Sequence, residues 1–359
     1  MRRALAVVAL LVLGAAEALP AQGRWFKGNT HQHSLNSDGD SPIDVVLRWY
    51  REHGYQFSVV TEHEYWTDVG PLNAVLGHPL RFIAIPGQEV SQVVEDAKHP
   101  RGVRQAHVNA LGTRRVVMPI PRPQTAGMTV AQSYSRNDSL IRAAGGIMQV
   151  NHPNFIWSVP LEDMMRLPDS TLFEVWNGHP IVYNEGGVDS LGNVMLSTEA
   201  RWDSVLSRGR LIFGVADDDS HHFKLQDGEN KDQARPGRGW VMVRADTLTP
   251  AAIVGALHRG DFYASTGITL RDLRISPSEY ALEIVLANDR RYRTEFIGQG
   301  GKVLATSYSL RPSYRITGSE GYVRARISDS SGRLAWTQPI RVRGNGGNWG
   351  QTPISQFPP

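Results

Sequence analysis

A short apolar run that ends in a histidine sets the pattern of this sequence: Gly146-Ile147-Met148-Gln149-Val150-Asn151-His152-Pro153. A run of this length between Gly and Pro is typical of a buried strand. Four further runs of this kind lie at Phe57–Val60, Arg81–Ile85, Leu172–Val175 and Leu211–Val215. Amphipathic stretches separate them; in 42–53 the apolar residues share one helical face, and Gly54 ends the helix. This alternation predicts an α/β fold of parallel strands joined by crossover helices, as an open sheet or a barrel.

Histidines and carboxylates recur where the predicted strands end. His31 and His33 lie two residues apart, so both imidazoles face one side of an extended segment. The other such residues are Asp38 in a turn, His63 after Thr61-Glu62, Glu89 after Pro86-Gly87-Gln88, His107 at the start of an apolar segment, His152 after Asn151, and Asp219 and His221 after the run at 211–215. Active sites of α/β proteins assemble at the carboxyl ends of strands. Each residue alone has an ordinary structural explanation, such as a turn or a helix cap, but together they favour a metal site.

The composition restricts the ligands that such a site can use. The chain has 359 residues, 12 of them His, and it contains no Cys. Thiolate metal sites, disulfides and a lipid anchor on cysteine are therefore excluded. Imidazole and carboxylate ligands suit divalent ions such as Zn, Mn or Fe. The net charge of only +3 gives no indication of a nucleic-acid partner.

The two ends of the chain differ from its middle. Residues 1–21 combine a basic start, an apolar run and small residues, which is the order of a cleavable signal peptide. The apolar run is shorter than the ~20 residues that span a bilayer, so we expect a periplasmic or secreted protein without a stable membrane anchor. Short alternating runs predict a β-rich, sandwich-like domain at 269–343 behind a main domain at 24–268. Residues 344–359, rich in Gly, Asn and Pro, are predicted to be a disordered tail.

The ordered set of motifs resembles that of the polymerase and histidinol phosphatase (PHP) superfamily. The motifs are His31-Gln32-His33, Ser37-Asp38-Gly39, Thr61-Glu62-His63, Pro86-Gly87-Gln88-Glu89, His107, Asn151-His152-Pro153 and Asp219-Ser220-His221. The resemblance implies a distorted (β/α)7 barrel over about residues 25–265. Segments 257–267 and 335–340 are similar to a secreted branch that includes relatives of a carbaryl hydrolase. One motif departs from the family, because Glu62 stands where Asp is usual, and we expect this change to adjust the orientation of His63.

The resemblance also implies two or three divalent metals per chain and a role for each ligand. One metal would be bound by His31, His33, Glu89 and Asp219. Glu89 would bridge to a second metal, bound by His107 and His152. A third metal would be served by Asp38, His63 and His221. Hydrolysis would use a hydroxide shared by two metals, and His63 or His221 would donate a proton to the leaving oxygen.

The favoured function is hydrolysis of a small-molecule phosphate mono- or diester by an exported enzyme. The same site could cleave a carbamate or a carboxyl ester. A non-catalytic protein that binds glycan or cell-envelope polymer is the alternative from another class. A barrel of the amidohydrolase type usually needs a metal-bridging lysine after a strand, and no predicted strand end offers one. Glu174 and Asn177 end a strand at the proposed face, so they are candidates for contact with substrate or with water behind the ligands.

Overall fold

The computed structural model describes residues 23–224 and 233–342. The predicted signal peptide at 1–21 and the predicted tail at 344–359 lie outside these residues. The described chain is a mixed α/β fold in which strands predominate. Its α-helices are α1 (Ile43–Glu52), α2 (Gly70–Leu76), α3 (Val130–Ala143), α4 (Leu161–Met164), α5 (Thr198–Ser207) and α6 (Pro250–Arg259). None of the described helices has the length and apolar character needed to cross a membrane.

Each of the five predicted runs contains a strand, and the predicted helix at 42–53 is confirmed as α1. In α1 the residues Val46, Leu47 and Tyr50 are buried, and Gly54 follows with a φ of +77° that ends the helix. The strands up to residue 265 are β1 (Arg24–Asn29), β2 (Phe57–Val59), β3 (Ile83–Ile85), β4 (Gly87–Val90), β5 (Val93–Glu95), β6 (Val103–Gln105), β7 (Val108–Leu111), β8 (Ile147–Val150), β9 (Leu172–Asn177), β10 (Gly187–Val188), β11 (Val194–Met195), β12 (Phe213–Asp217), β13 (Trp240–Ala245) and β14 (Phe262–Ser265).

The strands that surround the candidate site belong to two sheets. A five-stranded sheet has the order β12-β9-β8-β7-β4, and β1, β2 and β3 lie side by side in a larger sheet. The neighbours β1–β2, β2–β3, β8–β9 and β9–β12 are parallel, whereas β7 runs antiparallel to β4 and β8. The chain passes from β3 directly into β4 through Pro86. Because proline has no backbone N–H, the ladder of one sheet ends there and that of the other begins.

A closed seven-stranded barrel is not confirmed among the described residues. The edge of β1 that faces away from β2 is occupied by antiparallel β13, so β12 cannot pair there. A single isolated bridge, Gln32–Ser220, joins the segments that follow β1 and β12. The prediction of parallel strands does not hold for β7. Its reversed direction places its first residue at the edge of the sheet where β4 and β8 end.

The C-terminal part of the described chain is β-rich. Its strands are β15 (Leu270–Ile275), β16 (Glu279–Ile284), β17 (Tyr292–Gly298), β18 (Lys302–Ser307), β19 (Ser313–Arg315), β20 (Tyr322–Asp329), β21 (Leu334–Thr337) and β22 (Ile340–Arg341). The larger sheet continues from β1 through β13, β14, β21, β20 and β17 to β18, and β15, β16 and β19 form a separate sheet. The two sheets share an apolar core in which the ring of Tyr280 lies 6.1 Å from that of Phe296. The domain boundary at 268 stays a prediction, since one sheet runs through β14 to β21 across it.

A close contact between β1 and β2 gives a test of this packing. A Cβ atom on Gly28 would lie 2.1 Å from the ring of buried Phe57. We expect Gly28→Ala to destabilise the fold by roughly 1–3 kcal/mol, because the ring has no free space to move into. Urea unfolding followed by circular dichroism measures this change.

The matched control is Phe57→Leu, alone and combined with Gly28→Ala. The smaller side chain makes room for the added methyl group, so the double variant should lose less stability than the sum of the two single losses. Unchanged unfolding of Gly28→Ala would contradict the close packing of β1 on β2.

Candidate metal centre

Backbone pairing beyond the strand ends gathers the predicted ligands. After β1 and β12, the His33 amide donates to the Ser220 carbonyl at 2.9 Å, and the Asp219 amide donates to the His31 carbonyl at 3.0 Å. After β2, an isolated parallel bridge pairs His63 with Glu89 of β4. His152 follows β8, and His107 precedes the antiparallel β7, so both come to the same edge. The structure therefore brings together all of the predicted ligands, which are His31, His33, Asp38, His63, Glu89, His107, His152, Asp219 and His221.

The buried carboxylate of Glu89 lies at the middle of this cluster. Its Oε2 atom is 3.3 Å from Nε2 of both His31 and His33 and 3.2 Å from Nδ1 of His63. Its Oε1 atom is 3.0 Å from Nδ1 of His107 and 3.4 Å from Nε2 of His152. The two oxygens thus face two different groups of imidazoles. This is the arrangement that a bridging carboxylate requires.

Asp219 lies opposite Glu89 and shares two of its neighbours. Its Oδ1 atom is 3.4 Å from Nε2 of His31 and from Nε2 of His33. Nε2 of these two histidines is also 3.3 Å from Glu89, so both imidazoles lie between the two carboxylates and the four side chains are close together. The backbone of Asp219 has a φ of +46° and that of His152 a φ of +25°. Non-glycine residues in this region carry strain that is typical of functional sites.

A second group of ligands lies at the more exposed end of the cluster. Oδ2 of Asp38 is 3.4 Å from Nε2 of both His63 and His221, and its Oδ1 is 3.4 Å from Nδ1 of His33. These four side chains present ligand atoms that all lie within 4.8 Å of one another. The Asp38 side chain is 53% exposed, whereas Glu89 is almost completely buried, so the cluster opens to solvent at Asp38.

Glu62 supports the loop that carries Asp38. Its buried carboxylate accepts hydrogen bonds from the backbone amide of Ser34 at 3.0 Å, from the Ser34 hydroxyl, and from the Ser37 hydroxyl at 2.6 Å. None of these contacts reaches the imidazole of His63, whose Nδ1 instead lies 2.7 Å from the hydroxyl of Ser91. Contrary to our expectation, Glu62 therefore makes no hydrogen bond among the described residues that would orient His63. Its hydrogen bonds instead hold the loop that carries Asp38.

Glu174 and Asn177 lie behind the ligands. Oε1 of Glu174 is 2.6 Å from Nδ1 of His31, and its Oε2 accepts hydrogen bonds from the His152 amide and, at 2.7 Å, from the Asn177 side chain. Asn177 in turn donates to Oδ2 of Asp219 at 3.1 Å. Both residues are buried. This placement favours support of the ligands over the predicted contact with substrate, because such partners fix the tautomer and direction of a ligating imidazole.

Three buried polar residues of this support were missed in the sequence. Gln149 donates to Asp217 at 2.9 Å, and Asn109 accepts at 2.9 Å from Asn151, which also donates to Glu89 at 2.9 Å. A signal exists for Gln149 and Asn109, since each interrupts an apolar strand. A polar side chain inside a buried strand needs a partner, because burial without a hydrogen bond is costly.

The charges of the cluster fit a divalent cation. Among the described residues, Glu89 and Asp219 form ion pairs with histidines and with no Lys or Arg. Burial lowers the pKa of His31, but Asp219, Glu89 and Glu174 outweigh it and raise the pKa well above its ordinary value. In the absence of metal, the buried carboxylates thus favour the protonated form of His31. A divalent cation compensates the same charges with neutral imidazole as ligand, as nitrogen–oxygen sites for Zn or Mn do.

The comparisons with known proteins give likenesses of shape. No family model matches the chain, and no curated protein matches it. A two-domain protein from Bacteroides vulgatus that contains a predicted PHP-like metal-dependent phosphoesterase aligns with a TM-score of 0.44 and 15% identity, over 90% of this chain and 98% of its own. A protein from Bifidobacterium adolescentis described as a metal-dependent phosphoesterase aligns with a TM-score of 0.34 and 14% identity, over 60% of this chain and 93% of its own. An amidohydrolase from Chromobacterium violaceum aligns with a TM-score of 0.32 and 14% identity, over 57% of this chain and 93% of its own.

No carbaryl hydrolase is among these three proteins, and the PHP assignment of this chain rests on its motifs. The alignments are distant in both sequence and shape. The chemistry of this chain is therefore inferred from the geometry of its own residues.

Metal binding should strengthen as the pH rises. Burial lowers the pKa of His63, but Glu89 and Asp38 outweigh it and raise the pKa from 6.5 to about 9. Protonated His63 stabilises the metal-free fold fully below pH 6.5, and this contribution is lost as the pH rises through about 9. A metal needs the neutral imidazole. The rise in unfolding temperature on addition of Mn²⁺ should therefore grow between about pH 6.5 and 8.5. Differential scanning calorimetry with a chelator-treated reference measures it; a constant or shrinking rise would contradict the prediction.

Removal of the Glu62 carboxylate should weaken the exposed metal group selectively. Glu62→Ala deletes the acceptor of three hydrogen bonds that hold the Asp38 loop. We expect the weakest metal site to lose roughly 10–100-fold in affinity, the range seen for partners that support a ligand, while tighter sites are unchanged. Isothermal titration with Mn²⁺ separates the sites. Glu52→Ala, on the exposed end of α1, is the control, and equal weakening of every site would count against this role.

Proposed function

We propose that this chain is a metal-dependent hydrolase of the PHP type that cleaves a small-molecule phosphate mono- or diester outside the cytoplasm. The observation that carries the proposal is the carboxylate of Glu89. Its two oxygens face separate imidazole groups at 3.0–3.4 Å while its charge is shielded from water. A carboxylate in this position could hold two cations close together, which is the requirement of two-metal hydrolysis.

The proposed ligand sets follow the two oxygens of Glu89. His31, His33 and Asp219 lie on its Oε2 side, and His107 and His152 lie on its Oε1 side. Asp38, His63 and His221 form the outer set. When bound, divalent ions lower the pKa of water and polarise a phosphoryl oxygen. We propose that two or three ions of Zn, Mn or Fe are bound per chain.

The protein groups nearest to solvent are proposed to act on the leaving group. Nε2 of His63 and Nε2 of His221 point at the exposed carboxylate of Asp38, each at 3.4 Å. Nδ1 of His221 lies 2.9 Å from the backbone carbonyl of Asp219, so it carries the hydrogen in this tautomer and leaves Nε2 to face Asp38. Either imidazole, if not fully committed to metal, could hold a proton beside a substrate that enters at Asp38.

The test of this function is the loss of metal-supported turnover in variants of the bridging position. Glu89→Gln keeps the shape of the side chain but removes the charge, and His152→Ala removes one predicted ligand. We expect each variant to lose more than the ~10–100-fold caused by loss of a supporting partner. Initial rates with added Mn²⁺ or Zn²⁺ measure the effect. The exposed His78 supplies the control variant His78→Ala, which should retain full activity.

A panel of aryl substrates determines the bond that is cleaved. We expect turnover of 4-nitrophenyl phosphate or bis(4-nitrophenyl) phosphate to exceed that of a 4-nitrophenyl carbamate and a 4-nitrophenyl carboxyl ester. Faster carbamate or carboxyl-ester cleavage with the same sensitivity to Glu89→Gln would keep the site and replace the substrate class. Absence of metal-dependent turnover on every substrate would overturn the enzyme assignment in favour of a binding protein.

A further inference from the structure

A cleft of about 440 Å³ lies beside the exposed end of the metal-type cluster, which consists of the nine predicted ligands from His31 to His221. It is lined by Trp176, His179, Tyr183, Glu185 and Arg238 among others. The ring of His179 lies 5.5 Å from that of His221. The volume falls in the range of sites for small organic ligands. A molecule in this cleft would therefore lie next to the imidazole proposed to act on the leaving group.

Arg238 presents a guanidinium with unused donors to the cleft. Its Nη1 donates to the carbonyl of Gly178 at 2.8 Å, and no carboxylate of the described residues forms an ion pair with it. A guanidinium has five N–H donors in a rigid fork that matches a carboxylate or phosphate. The half-buried position of Arg238 makes such a hydrogen bond stronger than it would be in open solvent.

Hydrogen bonds to Asp218 fix the backbone that carries this guanidinium. The buried carboxylate of Asp218 accepts hydrogen bonds from the amides of Gly237, Arg238 and Gly239 at 3.0, 2.7 and 2.9 Å. At Gly178, a Cβ atom would lie 2.7 Å from the Asp218 carbonyl oxygen and 3.1 Å from Cβ of Arg238. Only glycine therefore allows the two segments to approach this closely. The backbone of Arg238 is held in position before any ligand binds, and its Nη1 is held by the Gly178 carbonyl, which lowers the entropy lost on binding.

Aromatic rings form the apolar walls of the cleft. Trp176 lines it from β9, and Tyr183 is stacked on Trp157 with ring centroids 4.9 Å apart and planes at 17°. Tyr183 nevertheless remains 49% exposed, so its ring is available to a ligand. Glu185 also lines the cleft but is exposed to solvent, where its charge is screened. The chemistry of this space suits a flat ring with an anionic substituent.

We propose that this cleft binds the leaving group of the substrate and that Arg238 selects a ring that carries a carboxylate or a similar anionic substituent. The inference rests on the proposed hydrolase function, and it deepens it by assigning the organic part of the ester. Arg238 is a specificity residue here, because it contacts the far end of the leaving group while His221 faces the scissile bond.

The test compares two substrates that differ only in charge, 4-carboxyphenyl phosphate and 4-carbamoylphenyl phosphate. The wild-type protein should show kcat/KM at least about ten-fold higher for the carboxylate, the effect of one charge-assisted hydrogen bond pair. Arg238→Met should bring the ratio to about 1, and Arg238→Lys should leave an intermediate ratio. The control Arg136→Met removes an exposed arginine of α3 and should keep the wild-type ratio. A wild-type ratio near 1, or a ratio unaffected by Arg238→Met, would overturn the proposal.

A binding measurement separates this proposal from the proposed function. Titration of metal-free protein with 4-hydroxybenzoate should show binding that Arg238→Met weakens by about ten-fold or more. Binding with this dependence, but without hydrolysis of any ester, would retain the cleft and overturn the hydrolase. Hydrolysis of aryl phosphates without such binding would retain the hydrolase and overturn the assignment of the cleft.

Discussion

The burial of the Glu89 carboxylate is the constraint on which the rest of the site depends. An ionised carboxylate out of water is unstable unless cations or hydrogen-bond donors surround it. Here the surrounding groups come from segments that follow β1, β2, β8 and β12 and precede β7, so no single element can supply them. The burial of one charge thus requires both sheets to end at the same place. Pro86 contributes directly, because it lets one extended segment leave the first sheet at β3 and enter the second as β4, with Glu89 at the junction.

A second layer of hydrogen bonds explains why the imidazoles keep their directions. Glu174 contacts His31, the His152 amide and Asn177, and Asn177 reaches Asp219. One buried carboxylate therefore orients groups on both sides of Glu89. The arrangement concentrates negative charge, since Glu89, Glu174, Asp217 and Asp219 are all buried in one small region. Burial and the neighbouring Glu174 carboxylate raise the pKa of Asp217 well above its ordinary value, which makes its charged form less favourable. The negative charge of this region is what a protonated imidazole or a divalent cation has to balance.

The sequence indicated which residues come together at the site better than it indicated the fold that places them there. His152 and Glu89 were recognisable because a metal-type residue after a short apolar run is a local pattern. The direction of β7 was not recognisable, because the direction of a strand depends on its pairing with distant segments. For the same reason the sequence did not show that β13 pairs with the edge of β1 at which a closed barrel would continue. Glu174 was a candidate because it ends a strand at the proposed face, but its partners could not be predicted, since they lie 22 and 143 residues away. The role of Glu62 was misassigned for the same reason, since its partners at Ser34 and Ser37 are brought near only by the tertiary fold.

The run Asp217-Asp218-Asp219 shows how one strand end can serve three requirements at once. Successive side chains of an extended segment point in different directions, and each aspartate meets a different set of partners. Asp217 accepts from Gln149 and Thr30 inside the sheet, Asp218 accepts from the backbone of the loop that carries Arg238, and Asp219 faces His31 and His33. The metal-type cluster and the neighbouring cleft are therefore positioned by adjacent residues of the same segment. Because a shift in the register of β12 would displace both, the backbone of β12 sets the separation between the cluster and the loop that carries the proposed anion-binding arginine.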